Sequence, residues 1–240
     1  MTDEEEFIEG LYEEANEQLI EIYKEQKSVR NELLQEIAMI MLTYTVLDGI
    51  MSIGKNYKDK IYKKISGLII TNYKTISDKE IEVLNGILES TVNKTFKFYS
   101  YNADLKEVKE IVESNFKGKH FSERVWENQN EVVKRLHSQI KDFINGNINV
   151  NQIKKDIENT FNTSAYNAKR LVETEVNRCS SNAFDSFCKE TGVKKLRYNA
   201  TLDSRLCSDC SQYHDKVFKF NEKIEVPRHP LCRCFYTIEE

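Results

Sequence analysis

Apolar residues recur at helical spacing along most of the first 190 positions, with charged residues filling the gaps. Phe7, Leu11, Ile22, Val29, Leu33, Ile37, Ile40, Tyr44 and Leu47 predict one long helix, or two in line, over 3–53. Gly54 and the polar stretch after it allow a turn, and a second helix is expected over 57–71. A third is expected to begin at Ser77 and run to about residue 100. There Ser77-Asp78-Lys79-Glu80 has the form of a capping box, with Ile76 and Ile81 as a hydrophobic staple. Further helices are predicted over 104–116, closed by Gly118, and from Phe121-Ser122 through Val125, Val132, Val133, Leu136, Ile140 and Ile144 to Gly146. A short one is expected over 151–161. A long one, capped by Thr163 or Ser164, then carries Ala165, Ala168, Val172, Val176, Cys179, Ala183 and Phe187 and ends before Gly192. Glu175 sits at the edge of that stripe, where a half-buried acid needs a partner; Arg178 and Arg205 are the candidates.

After Gly192 the period changes. Val193, Leu196 and Tyr198 alternate as in a strand over 193–200, and a closing strand is expected over 235–238. The fold class is therefore mainly α: long N-terminal helices and a helical stem, ending in a small C-terminal α+β tip.

Composition supports this and removes some functions. Eight glycines and two prolines are few breakers for 240 residues. The most apolar run, residues 37–53, contains Asp48 and falls short of the roughly twenty residues a span needs, so it reads as a buried core helix. The acidic start, MTDEEEF, is not the basic start of a signal peptide, so the cysteines are expected to be reduced. Net charge is −4, with ten acids against three bases in residues 1–30. That thinly apolar segment reads as an arm for a partner. No part of the chain reads as a strong phosphate-binding stripe.

The last forty residues carry the chemistry. Four of the six cysteines form Cys207-x-x-Cys210 and Cys232-x-Cys234, and Pro227 and Pro230 flank His229. A thiol pair two residues apart can aim both sulfurs at one ion, and a second clip completes a tetrahedral shell. Mixed sulfur and nitrogen ligands favour zinc. One structural zinc is expected on Cys207, Cys210, His229 and Cys232, with Cys234 able to replace His229. Two alternatives are a nuclease using His214-Asp215 as its base, and a zinc module binding nucleic acid. The second would use Lys194, Lys195, Arg197, Arg205, Arg228 and Arg233, with Tyr198 and Phe235 to stack on bases. Four thiol and imidazole ligands leave no open metal position, which favours a structural site over a nuclease. No nucleophile elbow or phosphate-cradling loop is present.

Several separated motifs resemble one known family. They are Arg170-Leu171-Val172-Glu173-Thr174-Glu175, then Asn199-Ala200-Thr201-Leu202-Asp203-Ser204-Arg205, then Cys210, then His229-Pro230-Leu231-Cys232-Arg233-Cys234. Their order resembles the Mu F-like phage head morphogenesis proteins, minor head proteins of tailed bacteriophages. Lys119-His120-Phe121-Ser122-Glu123-Arg124-Val125-Trp126 resembles the stretch that leads into that domain. The resemblance covers about residues 119–240 and implies a minor head domain there, with its cysteine-rich tip at 193–240; residues 1–118, read from periodicity alone, are expected to form a helical N-terminal region. It also implies a virion component of the inner head near the portal, present in the host cytoplasm during assembly, and not an enzyme. The implied partners are the portal and major capsid proteins, with packaged DNA as a further contact and no membrane.

Overall fold

The first helix, α1 (Asp3–Thr43), owes its length to one continuous stripe. Leu11, Ala15, Leu19, Ile22, Gln26, Val29, Leu33, Ile37 and Ile40 are all buried. Their spacing averages about 3.6 residues, the helical period, so one face stays covered throughout. Within the acidic start, Leu11, Tyr12 and Ala15 are packed. The structure is a computed structural model and describes residues 2–201 and 207–239.

The apolar run 37–53 does not stay helical to its end. α1 stops at Thr43, and Thr45–Leu47 (β1) pairs antiparallel with Ile50–Ser52 (β2). Asp48 and Gly49 form the turn, both with positive φ (51° and 77°). A two-residue Asp-Gly turn with left-handed backbone at both positions matches the twist of the strands it joins. No helix among the described residues is long and apolar enough to cross a membrane.

The expected break near residue 72 and restart at Ser77 do not occur. α2 (Lys55–Phe98) is one helix. Inside it the Ser77 hydroxyl donates to the Tyr73 carbonyl (2.9 Å), and Glu80 turns into the core, where Gln129 Nε2 donates to it (2.8 Å). Both box residues are therefore used, but for packing inside a helix. α3 (Leu105–Val112) begins at Asp104, whose carboxylate accepts from the Glu107 N–H (2.8 Å). α4 (Phe121–Asn145) ends at Gly146, as expected.

The last helix, α5 (Val150–Thr191), is also longer than predicted. Its cap is Asn149, whose side-chain oxygen accepts from the N–H groups of Asn151 and Gln152 (3.0 and 2.8 Å). Thr163 and Ser164, the expected caps, lie mid-helix; the Thr163 hydroxyl donates back to the Asn159 carbonyl (2.9 Å). The helix ends at Thr191, ahead of Gly192 with φ +72°. Beyond it, Lys195–Asn199 (β3) forms the centre of an antiparallel sheet. Val217–Lys219 (β4) lies on one side and Phe235–Glu239 (β5) on the other. A one-turn helix, α6 (Ser208–Ser211), follows Cys207.

The chain folds as two compact units. One comprises residues 19–82 and 122–168, the other 1–18, 83–121 and 169–240. The first unit packs β-branched and leucine side chains of four helical segments, among them Ile65, Ile140, Ile153 and Ile157, with Phe143 between them. Within this apolar interior lies a small polar layer. Gln26 Nε2 donates to the Ser164 hydroxyl (3.2 Å), and Gln129 reaches Glu80. Glu80 is 1 % exposed, and its described hydrogen bond comes from an uncharged amide. Burial accordingly pushes its carboxyl up to about 7.

The second unit has the C-terminal sheet as its distinct part. Phe184 and Cys188 of α5 pack with Leu196, Tyr198, Tyr236 and the buried cysteines. The architecture is thus the expected one, mainly helical with a small α+β tip.

Candidate metal centre

Ten consecutive residues of α5, 171–180, are buried, so this stretch can hold other elements with its polar side chains as well as its apolar ones. Glu175 accepts from Arg178 Nε (2.6 Å), and Arg178 sends its remaining donors to the end of α3. Its Nη1 donates to the Ile111 carbonyl (2.8 Å) and its Nη2 to that of Val112 (3.1 Å). A guanidinium there satisfies carbonyls that a helix end leaves open and meets the negative end of its dipole. Of the two candidate partners, Arg178 is the one seen; Arg205 lies outside the described residues. The pair fastens α5 to α3, and the tip is held by its neighbours.

Those neighbours are Glu173, Thr174 and Asn177. The Thr174 hydroxyl accepts from the Leu231 N–H (3.1 Å), and Arg233 Nη2 reaches Glu173 (3.4 Å). Asn177 Nδ2 donates to the carbonyls of Cys232 (2.9 Å) and Cys234 (3.0 Å). Three polar residues of one helix thus grip the segment from Leu231 to Cys234. Sequence reasoning singled out Glu175 and passed over these three. Periodicity gave no signal for them, since at 100° per residue Glu173, Thr174 and Asn177 lie roughly 100–200° round the helix from Val172, outside the apolar stripe.

The gripped segment meets the first thiol pair. Cys207 caps α6, its sulfur accepting from the Cys210 N–H (3.3 Å), and Arg228 forms a fork onto the Asp209 carboxylate (2.8 and 3.0 Å). Asp209 is thereby held below the usual carboxylate range. This brings the His229 ring to the cysteines: Nε2 lies 3.1 Å from the Cys207 sulfur and 3.3 Å from that of Cys210. The other nitrogen, Nδ1, is 2.9 Å from the Pro230 carbonyl, an acceptor that fixes the proton on Nδ1 and leaves the Nε2 lone pair facing the sulfurs. Cys210 and Cys232 have their sulfurs 3.9 Å apart.

All five expected positions therefore converge, as two triads that share Cys210. One adds Cys207 and His229, and the other adds Cys232 and Cys234. The donor set suits a metal on two counts. A zinc–sulfur bond of about 2.3 Å places tetrahedral sulfurs about 3.8 Å apart, close to the Cys210–Cys232 separation. The six cysteines are all free thiols, and buried sulfurs at this spacing have few other polar groups to satisfy them.

The protons divide unevenly over the cluster. A hydrogen bond from Cys234 draws the Cys232 thiol down to about 5, and Cys234 is correspondingly pushed up. Burial raises Cys210 to about 11. Burial works against the Cys207 thiolate too, but hydrogen bonding from Cys210 outweighs it and the net shift is downward.

The residues offered for other chemistry are committed elsewhere. His214 Nδ1 accepts from the Ala200 N–H (3.2 Å), and Nε2 is 3.6 Å from the Asp215 carboxylate, in a turn where Asp215 has φ +62°. With the Nδ1 lone pair taken by the backbone, a neutral His214 carries its proton on Nε2, so neither nitrogen is placed as a base. Tyr198 is fully buried and Phe235 is 8 % exposed, so neither ring can stack on a base. Arg197 forks onto Glu239 (3.0 and 2.8 Å), Arg228 forks onto Asp209, and Arg233 pairs with Glu173 through one nitrogen (3.4 Å), leaving little net field among these arginines.

No curated protein and no solved structure matches the chain. The stretch carrying the α5 grip, β3, the cysteine segment and most of β5 is another matter: residues 134–237 match the family described as Phage Mu protein F like protein, the same family that the motifs resemble.

Proposed function

We propose that this chain is a structural minor head protein of a tailed phage, which docks to the portal and inner head during assembly and turns over no substrate. The family match over residues 134–237 carries this reading. The environments of His214, Tyr198 and Phe235 support it, since they offer neither a base nor a stacking platform. One structural zinc holds the tip, with Cys207, Cys210, His229 and Cys232 as ligands and Cys234 as a hydrogen-bond donor behind Cys232. Zinc supplies a fixed tetrahedral anchor and no open position for a reacting group. The tip, residues 193–240, is then a metal-stapled module, as a sheet of three short strands needs some staple.

The test is co-purification from infected cells with portal and major capsid proteins, alongside a DNA-cleavage assay with added zinc or magnesium. Association with assembled heads and no cleavage is expected. Metal-dependent cleavage lost in His214→Ala would replace the structural reading with a nuclease. Absence from portal- and capsid-containing fractions would remove the docking role.

A further inference from the structure

The Cys232-x-Cys234 clip faces the sulfur cluster with its side chains and Asn177 of α5 with its backbone carbonyls. Asn177 Nδ2 donates to both clip carbonyls and also to the Tyr12 hydroxyl (2.9 Å). Its own side-chain oxygen accepts from the Ser181 hydroxyl (3.3 Å), which sets the amide's orientation. Tyr12 is 2 % exposed, and the guanidinium of Arg233, the residue between the two cysteines, lies 4.4 Å from its ring centroid. The start of α1 is also held by Phe7, which stacks on Phe98 (4.2 Å), and by Glu14, which pairs with Lys94 and accepts from the Ser90 hydroxyl (3.4 Å). Four acids, Asp3 to Glu6, crowd its first turn.

We propose that metal occupancy of the cysteine cluster controls the docking of residues 3–18. Ligation of Cys232 fixes the two clip carbonyls and the Arg233 side chain between them. Those carbonyls position Asn177, and Asn177 and Arg233 together hold Tyr12. When the metal leaves, the clip carbonyls can turn, Tyr12 loses its partners, and an acidic helix start with Phe7, Leu11 and Tyr12 on its apolar face is released. This rests on the zinc reading given above and adds a regulated segment to it. Linkage makes the coupling reciprocal, so weakening the Tyr12 contact must weaken metal binding. Asn177 and Tyr12 act here as positioning residues, behind the ligands.

The experiment uses the full zinc-loaded chain. Zinc affinity is measured by competition with a chromophoric chelator in the natural protein, in Tyr12→Phe and in Asn177→Ala. Tyr12→Phe keeps the ring beneath Arg233 and loses the hydroxyl alone, so it stays informative if Asn177→Ala does not fold. Binding about tenfold weaker in the variants is expected, at the low end of what supporting residues contribute to metal sites. In parallel, amide hydrogen exchange over 3–18 should rise when zinc is removed, while exchange over 29–43 stays unchanged. Zinc bound with equal affinity in all three proteins, or unchanged exchange over 3–18 on removal, overturns the coupling alone. A natural protein that holds no zinc overturns the site and the coupling together.

Discussion

The unit of residues 19–82 and 122–168 and the C-terminal tip are stabilised by opposite means. In the former, a repeated set of isoleucines and leucines fills one interior, and a layer of Gln26, Glu80, Gln129 and Ser164 interrupts it. Burial of apolar area there stabilises by about 25 cal/mol per Å², spread over many side chains. In the tip, three strands of three to five residues are held by identified atoms: a sulfur–imidazole cluster, the Arg197–Glu239 fork, and the Asn177 amide on two carbonyls. The lesson is one of concentration. A distributed core loses a fraction of its stability with each substitution, whereas a stapled tip stands or falls with a few groups.

The largest contrast between them should appear on metal removal. Structural zinc in small modules contributes on the order of 10–16 kcal/mol. A strong chelator should therefore abolish the near-ultraviolet signal of the Tyr198, Tyr213 and Tyr236 cluster while far-ultraviolet helicity stays close to its starting value. Simultaneous loss of both signals would mean that the helices depend on the tip.

Next in size is the buried ion pair. Glu175→Ala strands Arg178 at the end of α3, and breaking a buried pair costs about 3–5 kcal/mol. Urea unfolding of Glu175→Ala beside Glu175→Ala/Arg178→Met should show much of that cost recovered in the double variant. No recovery would mean that Glu175 acts by something other than its charge.

Glu80 provides a pH test confined to the apolar unit. Its folded-state carboxyl is raised to about 7 by burial, against an ordinary value of 4.5. The folded protein therefore binds the proton more tightly than the unfolded chain. The stabilisation is full below pH about 4.5, declines as pH rises toward 7, and is lost above it, by about 3 kcal/mol in all. Glu80→Gln should flatten the stability profile over this window and gain relative stability at pH 8. A variant whose profile still falls as steeply would assign the titration to another group.

The smallest effect concerns a turn. Gly146 has φ +79°, and a Cβ there would sit 3.0 Å from the Met51 carbonyl oxygen. Gly146→Ala should cost about 1–3 kcal/mol in thermal or urea unfolding. A stability equal to that of the natural protein would show that the connection 146–149 shifts freely.

The same contrast explains what could be read from the sequence. Long helical stripes, the ends at Gly146 and Gly192, and strands over β3 and β5 follow from periodicity, because distributed cores leave a repeating record. The misread starts at Ser77, Thr163 and Ser164 share one cause. Serine and threonine can cap a helix or bond back into its preceding turn, and only the surroundings decide. The hairpin at Asp48-Gly49 was visible as an Asp-Gly dipeptide between apolar residues, but it lay inside a run whose hydrophobicity suited a helix equally well. In the tip, cysteine spacing disclosed the five converging positions. It could not disclose the shared role of Cys210 or the grip of Glu173, Thr174 and Asn177, which arise from residues more than fifty positions apart.

On the function proposed above, one metal ion organises the tip through Cys207, Cys210, His229 and Cys232. The most direct test of this claim is metal content per chain, measured by mass spectrometry of the intact protein under non-denaturing conditions. One zinc per chain is predicted for the natural protein and for Cys234→Ser, and none for Cys232→Ser. A natural protein without metal, or a Cys234→Ser variant that loses the ion while Cys232→Ser retains it, would contradict the claim.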